Sequence, residues 1–174
     1  MPIEFGSELK LISKQDFYQM DYKMMEIAFS IHNEFGRLWD EKIYQRELVR
    51  RCQVEGFGDV RAGVPIVVIF KDFKKYYFLD LLINSAGVYE LKTVAKLDTE
   101  HQRQILNYLF LLGLSYGKLI NFRPSSVEYR FVTTTVETQD RFQFAIDDSN
   151  WINLEPESAW LKETIIELLQ EWGA

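Results

Sequence analysis

Asp80-Leu81-Leu82-Ile83-Asn84-Ser85-Ala86-Gly87-Val88-Tyr89-Glu90-Leu91-Lys92 is the stretch on which the fold turns. Its middle, Asn84 to Gly87, is rich in residues that turns favour. Its flanks are apolar and β-prone, so Tyr76 to Ile83 and Gly87 to Val94 read as two strands of a hairpin. Asp80 and Glu90 sit symmetrically about Ser85. In that register their carboxylates oppose each other, roughly 5 Å apart at Cβ. Lys92, two residues past Glu90, points to the same side of the sheet. Two acids so close repel, and burial worsens the repulsion. Lys92 offsets part of it, and a hard divalent cation would offset more. Mg²⁺ is commonly held by one or two carboxylates and keeps several waters. Such an ion activates a water and stabilises a phosphoryl transition state. A neighbouring lysine can orient or deprotonate that water. The competing reading is a structural ion network or a solvated acidic face, and the spacing alone does not separate the two.

Outward from the hairpin, periodicity places the remaining elements. Phe17, Met20, Met24, Ile27, Ala28 and Ile31 repeat at helical spacing, so 15–34 reads as a helix with a core-facing stripe. Ser13 is placed to cap it, and Phe35-Gly36 to end it. A second helix is expected from about Asp40 to Cys52, then a loop over 53–63. A strand follows at Val64 to Phe70, with a turn over Lys71 to Lys75. A helix over about Thr99 to Leu114, capped by Asp98 or Thr99, precedes strands at Tyr116 to Phe122 and Val127 to Val136. Arg141 to Ile146 reads as a weaker strand, and Trp160 to Trp172 as an amphipathic helix. Three strands in succession predict an antiparallel meander. A helix between the third and fourth predicts a crossover to a parallel neighbour. The expected class is α/β: a mixed sheet flanked by helices.

Two helices carry further polar residues that could join this hairpin. Gln104 and Tyr108 lie four apart and share a face, with His101 on the same side; taken alone, Tyr108 reads as core, Gln104 as solvated and His101 as a first-turn surface residue. Glu41, in the first turn of the second helix, is a favourable anion at a helix start and also a candidate third carboxylate.

Composition bounds the function. The 174 residues are 47% hydrophobic and 26% charged, an ordinary globular mix with the size of one domain. The expected organisation is one domain over 1–174, with a core over about 15–136 and an extension over about 137–174. Cys52 stands alone, so no internal disulfide can form, and no second Cys or clustered His accompanies it to point to a zinc site. The N-terminal stretch lacks the apolar run of a signal peptide, and no run is long enough to span a membrane, so a soluble cytoplasmic protein is expected. Net charge is −6, but −4 of it sits in residues 151–174. The body is near neutral and shows no basic groove for strong nonspecific duplex binding. In the tail, Trp151, Trp160, Trp172 and the stripe Leu161, Ile165, Leu168 and Leu169 are expected to pack on the core, with a dimer face as the alternative.

Asp80…Glu90-Leu91-Lys92 followed by Gln104-x-x-x-Tyr108 resembles the core of the PD-(D/E)XK nuclease superfamily, and the Gln-x-x-x-Tyr addition resembles its recombination and repair exonuclease branch. More narrowly, about Ile27 to Val132 is similar to the GxxExxY family of small bacterial proteins. The likeness runs through Ile31-His32…Phe35-Gly36, Glu41-Lys42-Ile43-Tyr44, Asp80 to Ile83, Glu90-Leu91-Lys92, Gln104 to Leu109 and Leu119 to Phe122. Leu38 stands where that family has its naming glycine, and Leu79, not proline, precedes Asp80.

The resemblance implies a restriction-endonuclease-like αβββαβ core with Mg²⁺ or Mn²⁺ as cofactor. It implies Asp80, Glu90 and the Leu91 main-chain carbonyl as metal ligands, with Glu41 as the helix-borne acid and Lys92 as the catalytic lysine. Gln104 and Tyr108 would place the substrate strand. The implied activity is hydrolysis of phosphodiester bonds in nucleic acid, with DNA expected. The alternative is a catalytically silent module on the same fold that binds nucleic acid or a protein partner, for which the acidic C-terminal helix speaks.

Overall fold

A computed structural model describes residues 3–135 and 139–173. Six strands form one sheet in the order β1 to β6: Ile3–Phe5, Val60–Phe70, Phe73–Ile83, Gly87–Lys92, Tyr116–Asn121 and Glu128–Thr133. Every neighbouring pair is antiparallel except β4 and β5, which are parallel and joined through α3 (Thr99–Leu112). The meander and the parallel crossover therefore follow the sequence expectation.

The helices cover the sheet because their apolar stripes match its two faces. Helix α1 (Lys14–Phe35) is capped by Ser13, whose Oγ accepts from Asp16 N. It buries Phe17, Met24, Ile27, Ala28 and Ile31. With Tyr44, Leu48 and Cys52 of α2 (Glu41–Val54) they pack on Leu81, Ile83, Tyr89, Leu91 and Ile120. On the opposite face, Ile105, Tyr108, Leu109 and Leu111 of α3 pack on Leu79, Leu82, Val88 and Leu119. Each fully buried aliphatic side chain contributes about 1.5–3 kcal/mol. From Leu81 to Leu91 the β3–β4 hairpin is clamped between both layers.

One bend in that hairpin positions Asp80. Leu81 and Ile83 face α1 and α2, whereas Leu79 faces α3. Odd-numbered residues of one strand should share a face, so β3 changes face at Asp80. The neighbouring strand changes with it. Val60 packs toward the α1 and α2 face, Val64 and Ile66 toward α3, and Gly63 between them has φ +62°. Glycine reaches that left-handed conformation at no steric cost. Ladder pairs run Ala62 with Leu81 and Val64 with Leu79, skipping the Gly63–Asp80 step.

Several boundaries differ from expectation. Strand β2 starts at Val60, inside the stretch read as a loop, and β3 starts at Phe73, so the turn is only Lys71-Asp72. The polar residues Lys74 and Lys75 belong to a strand with one open face. Helix α3 stops at Leu112, with Gly113 in the left-handed C-cap rather than in the last turn. Strand β4 ends at Lys92 and β5 at Asn121. Strand β1 was not foreseen. The strand expected at Arg141 to Ile146 is absent: Asp140–Phe142 forms a 3-10 turn, and buried Arg141 lies 3.6 Å over the Phe110 ring. The strand expected to reach Val136 ends at Thr133, and Val136 lies outside the described residues.

Helix α4 (Pro156–Trp172) begins a turn earlier than expected. Its stripe is only partly covered. Trp172 packs on the α3-side core, while Trp160, Leu161, Ile165 and Leu168 remain exposed. No helix among the described residues is long and apolar enough to cross a membrane.

Candidate active site

The ladder between β3 and β4 runs from Ile83–Gly87 to Leu81–Tyr89 and stops there. Continued by one step, the register sets Asp80 opposite Glu90. The strands instead part at this point, and the Asp80 side chain fills the gap: its Oδ2 accepts from Leu91 N at 2.9 Å. Both acids are buried, Asp80 at 8% and Glu90 at 2% exposure. Lys92 Nζ donates to Glu90 Oε1 at 2.6 Å. Glu90 Oε2 is buried with no hydrogen-bond partner.

Helix α2 brings Glu41 in its first turn and Gln45 one turn later, on the same face. Gln45 is 5% exposed. Its Nε2 donates to Asp80 O at 2.7 Å and lies 3.4 Å from Asp80 Oδ1, while its Oε1 accepts from Lys42 Nζ at 3.1 Å. Gln45 thus ties the helix to the bend in β3. Sequence reading passed over it, although its position four residues after Glu41 was the available signal. Tyr44 has no place in this cluster. It stacks on Phe122 at 4.3 Å and donates to Gly36 O, a packing role.

The acids feel one another. Burial first, then the Asp80 charge, pushes the Glu90 carboxyl up to about 8, against the pull of Lys92; Glu41 adds to the rise. Burial and the Asp80 charge also raise Glu41, which Lys92 and Lys42 partly offset. From α3, Tyr108 reaches the same field: burial raises its phenol, and the Glu90 and Asp80 charges raise it further. Gln104 Nε2 donates to Tyr108 Oη at 3.0 Å, so this pair stands at the edge of the cluster. His101 does not join it. Its Nδ1 closes a capping box with Asp98 at the start of α3.

The donors suit a hard cation. Asp80 and Glu90 supply two carboxylates, the usual protein share for Mg²⁺, and Glu90 Oε2 is an oxygen without an internal partner. Among the described residues no three His, Cys, Asp or Glu side chains gather closely enough to form a complete metal cage. Glu41 stands off as an electrostatic neighbour.

No curated protein matches the chain. The crystal structure of SSO0001 is similar at 16% identity, covering 92% of this chain and 78% of that one, with a TM-score of 0.46. The sequence matches the PD-(D/E)XK nuclease superfamily over residues 18–132, a span that opens in α1, closes in β6 and holds every residue of the cluster. Nucleases of this superfamily generally use divalent metals. By that match, over well above half its length, the chain belongs to the PD-(D/E)XK nuclease superfamily.

Proposed function

We propose that this protein is a divalent-metal-dependent nuclease that hydrolyses phosphodiester bonds of nucleic acid, with DNA the expected substrate. Within its superfamily we place it with the GxxExxY proteins, as one domain over 1–174. The observation that carries the reading is the excess of acid around Glu90. Two further carboxylates raise its proton affinity and one lysine opposes them, in an interior where uncompensated charge is costly.

In this reading the Asp80 and Glu90 carboxylates and the Leu91 carbonyl would hold Mg²⁺ or Mn²⁺, with Glu41 near enough to favour the cation. When bound, the ion supplies Lewis acidity and a more acidic water. Lys92, whose Nζ donates to Glu90 Oε1, would orient the attacking water as the ammonium, or take its proton as the neutral amine. Attack on phosphorus forms a P–O bond to the water oxygen and breaks the bond to the leaving sugar oxygen, which takes up a proton. Gln104 and Tyr108 line the α3 side and help place the strand.

The test is cleavage of single- and double-stranded DNA and RNA in Mg²⁺ or Mn²⁺ by wild type and by Lys92→Ala. We expect the variant to lose about 10²-fold or more in rate. Equal cleavage by both would remove Lys92 from the chemistry. A folded wild type that neither cleaves nor binds metal would leave the silent binding module as the better reading.

A further inference from the structure

On the N-terminal side of the bend at Asp80, one face of β3 has no helix over it among the described residues. Tyr77 and Leu79 turn toward α3, and the Tyr77 ring meets Tyr108 edge-on at 6.1 Å. By alternation Lys74, Tyr76 and Phe78 lie on the other face. Tyr76 is 58% and Phe78 57% exposed, and Lys74 is exposed as well. Their partners across β2 are Ile69, Val67 and Pro65. This open strip is apolar and aromatic, and it runs straight to the candidate site, since Phe78 lies two residues before Asp80. Glu4, opposite Val67 on β1, bounds the face at the sheet edge.

We propose that this strip is a stacking platform for single-stranded nucleic acid, with bases on the rings of Tyr76 and Phe78 and a phosphate near Lys74. The inference rests on the nuclease reading and names the form of its substrate. Three features choose this occupant. Aromatic faces accept any base, and a strand so held leads toward Asp80 and Glu90. The charge on the strip comes from Lys74, since Lys75 lies over the Tyr77 ring on the α3 side and Lys71 pairs with Glu167 of α4. Finally, alternate residues on a strand lie about 7 Å apart, about twice the 3.4 Å rise of a stacked duplex strand. Rings at that interval receive bases one by one from an extended strand and do not suit a stacked helix.

The test is fluorescence anisotropy of full-length protein with labelled oligothymidylate, oligouridylate and the matching DNA duplex. EDTA prevents cleavage during binding, and a parallel cleavage assay runs in Mn²⁺. Wild type should bind single strands more tightly than duplex. Tyr76→Ala with Phe78→Ala should weaken single-strand binding roughly tenfold or more, and Tyr76→Phe with Phe78→Tyr should restore it. Both positions are exposed, so neither change disturbs the core. The oligothymidylate and oligouridylate arms separate DNA from RNA. Unchanged single-strand binding by the double alanine variant overturns the platform. So does a wild type that binds no oligonucleotide and sediments as a dimer, where the variant is a monomer. Ring-dependent binding by a wild type that neither cleaves nor binds metal sinks the nuclease reading and keeps the platform. Lys92-dependent cleavage indifferent to the rings does the reverse.

Discussion

Two places in this protein bury carboxylates, and they do so in opposite ways. On the α1 side, Asp21 and Lys118 form a buried ion pair at 6% and 5% exposure, with the lysine 4.7 Å over the Tyr129 ring. Burial raises the Asp21 carboxyl, and Lys118 pulls against that rise, one charge to one. At the β3–β4 divergence, Glu90 faces two other acids and one lysine. Each region keeps one carboxylate oxygen without a partner, Asp21 Oδ1 and Glu90 Oε2, so an orphaned oxygen does not by itself mark a site. The balance of charge does. A matched pair is complete within the fold, whereas an acidic excess is relieved only by a proton or a cation from outside.

The sharpest way to break this contrast is to unbalance the matched pair. Lys118→Met strands the Asp21 charge in the interior and should cost about 3–5 kcal/mol in urea unfolding, while adding Asp21→Asn should recover most of it. A loss below about 1 kcal/mol would mean that water reaches Asp21 and that the pair is not the closed unit described. The next effect in size concerns the acidic end. Gln45→Met removes the hydrogen bond to Asp80 O while keeping the side chain's bulk. It should weaken Mn²⁺ binding by about tenfold or more in calorimetric titration, as loss of a group that orients a ligand does. Unaltered affinity would confine Gln45 to packing.

The hairpin was more legible in the sequence than its surroundings. The turn at Asn84 to Gly87 fixes the register from Ile83–Gly87 to Leu81–Tyr89, because a hairpin's pairing follows from its turn, but the direct opposition of Asp80 and Glu90 expected one step further is not formed, since the strands part there. Helical spacing likewise put Gln104 with Tyr108. The face change at Asp80 was hidden. It depends on Gly63 of the neighbouring strand, whose positive φ no pattern within 80–92 reveals. The Asp21–Lys118 pair joins residues far apart in the chain and leaves no local signal. The reach of β2 and β3 was underread because one face of that hairpin is open to solvent and carries residues that look like a turn.

The smallest effect has the most telling sign. In the folded protein Glu90 holds its proton up to about 8, against an ordinary 4.5. Between those values the folded state binds more protons than the unfolded one, so stability falls as pH rises through the window. Above it, the metal-free fold carries an ionised, buried acid among acids. Glu90→Gln is neutral throughout. It should therefore stabilise the metal-free protein by roughly 1–2 kcal/mol at about pH 9, a few degrees in Tm, and change little at about pH 5. Mn²⁺ should reverse the order at about pH 9, since a ligand that binds only the folded wild type raises that protein's Tm alone. If Glu90→Gln is instead the less stable protein at both pH values, Glu90 is a structural partner of Lys92, as Asp21 is of Lys118. The acidic excess would then be a feature of the fold, with no cation to explain it.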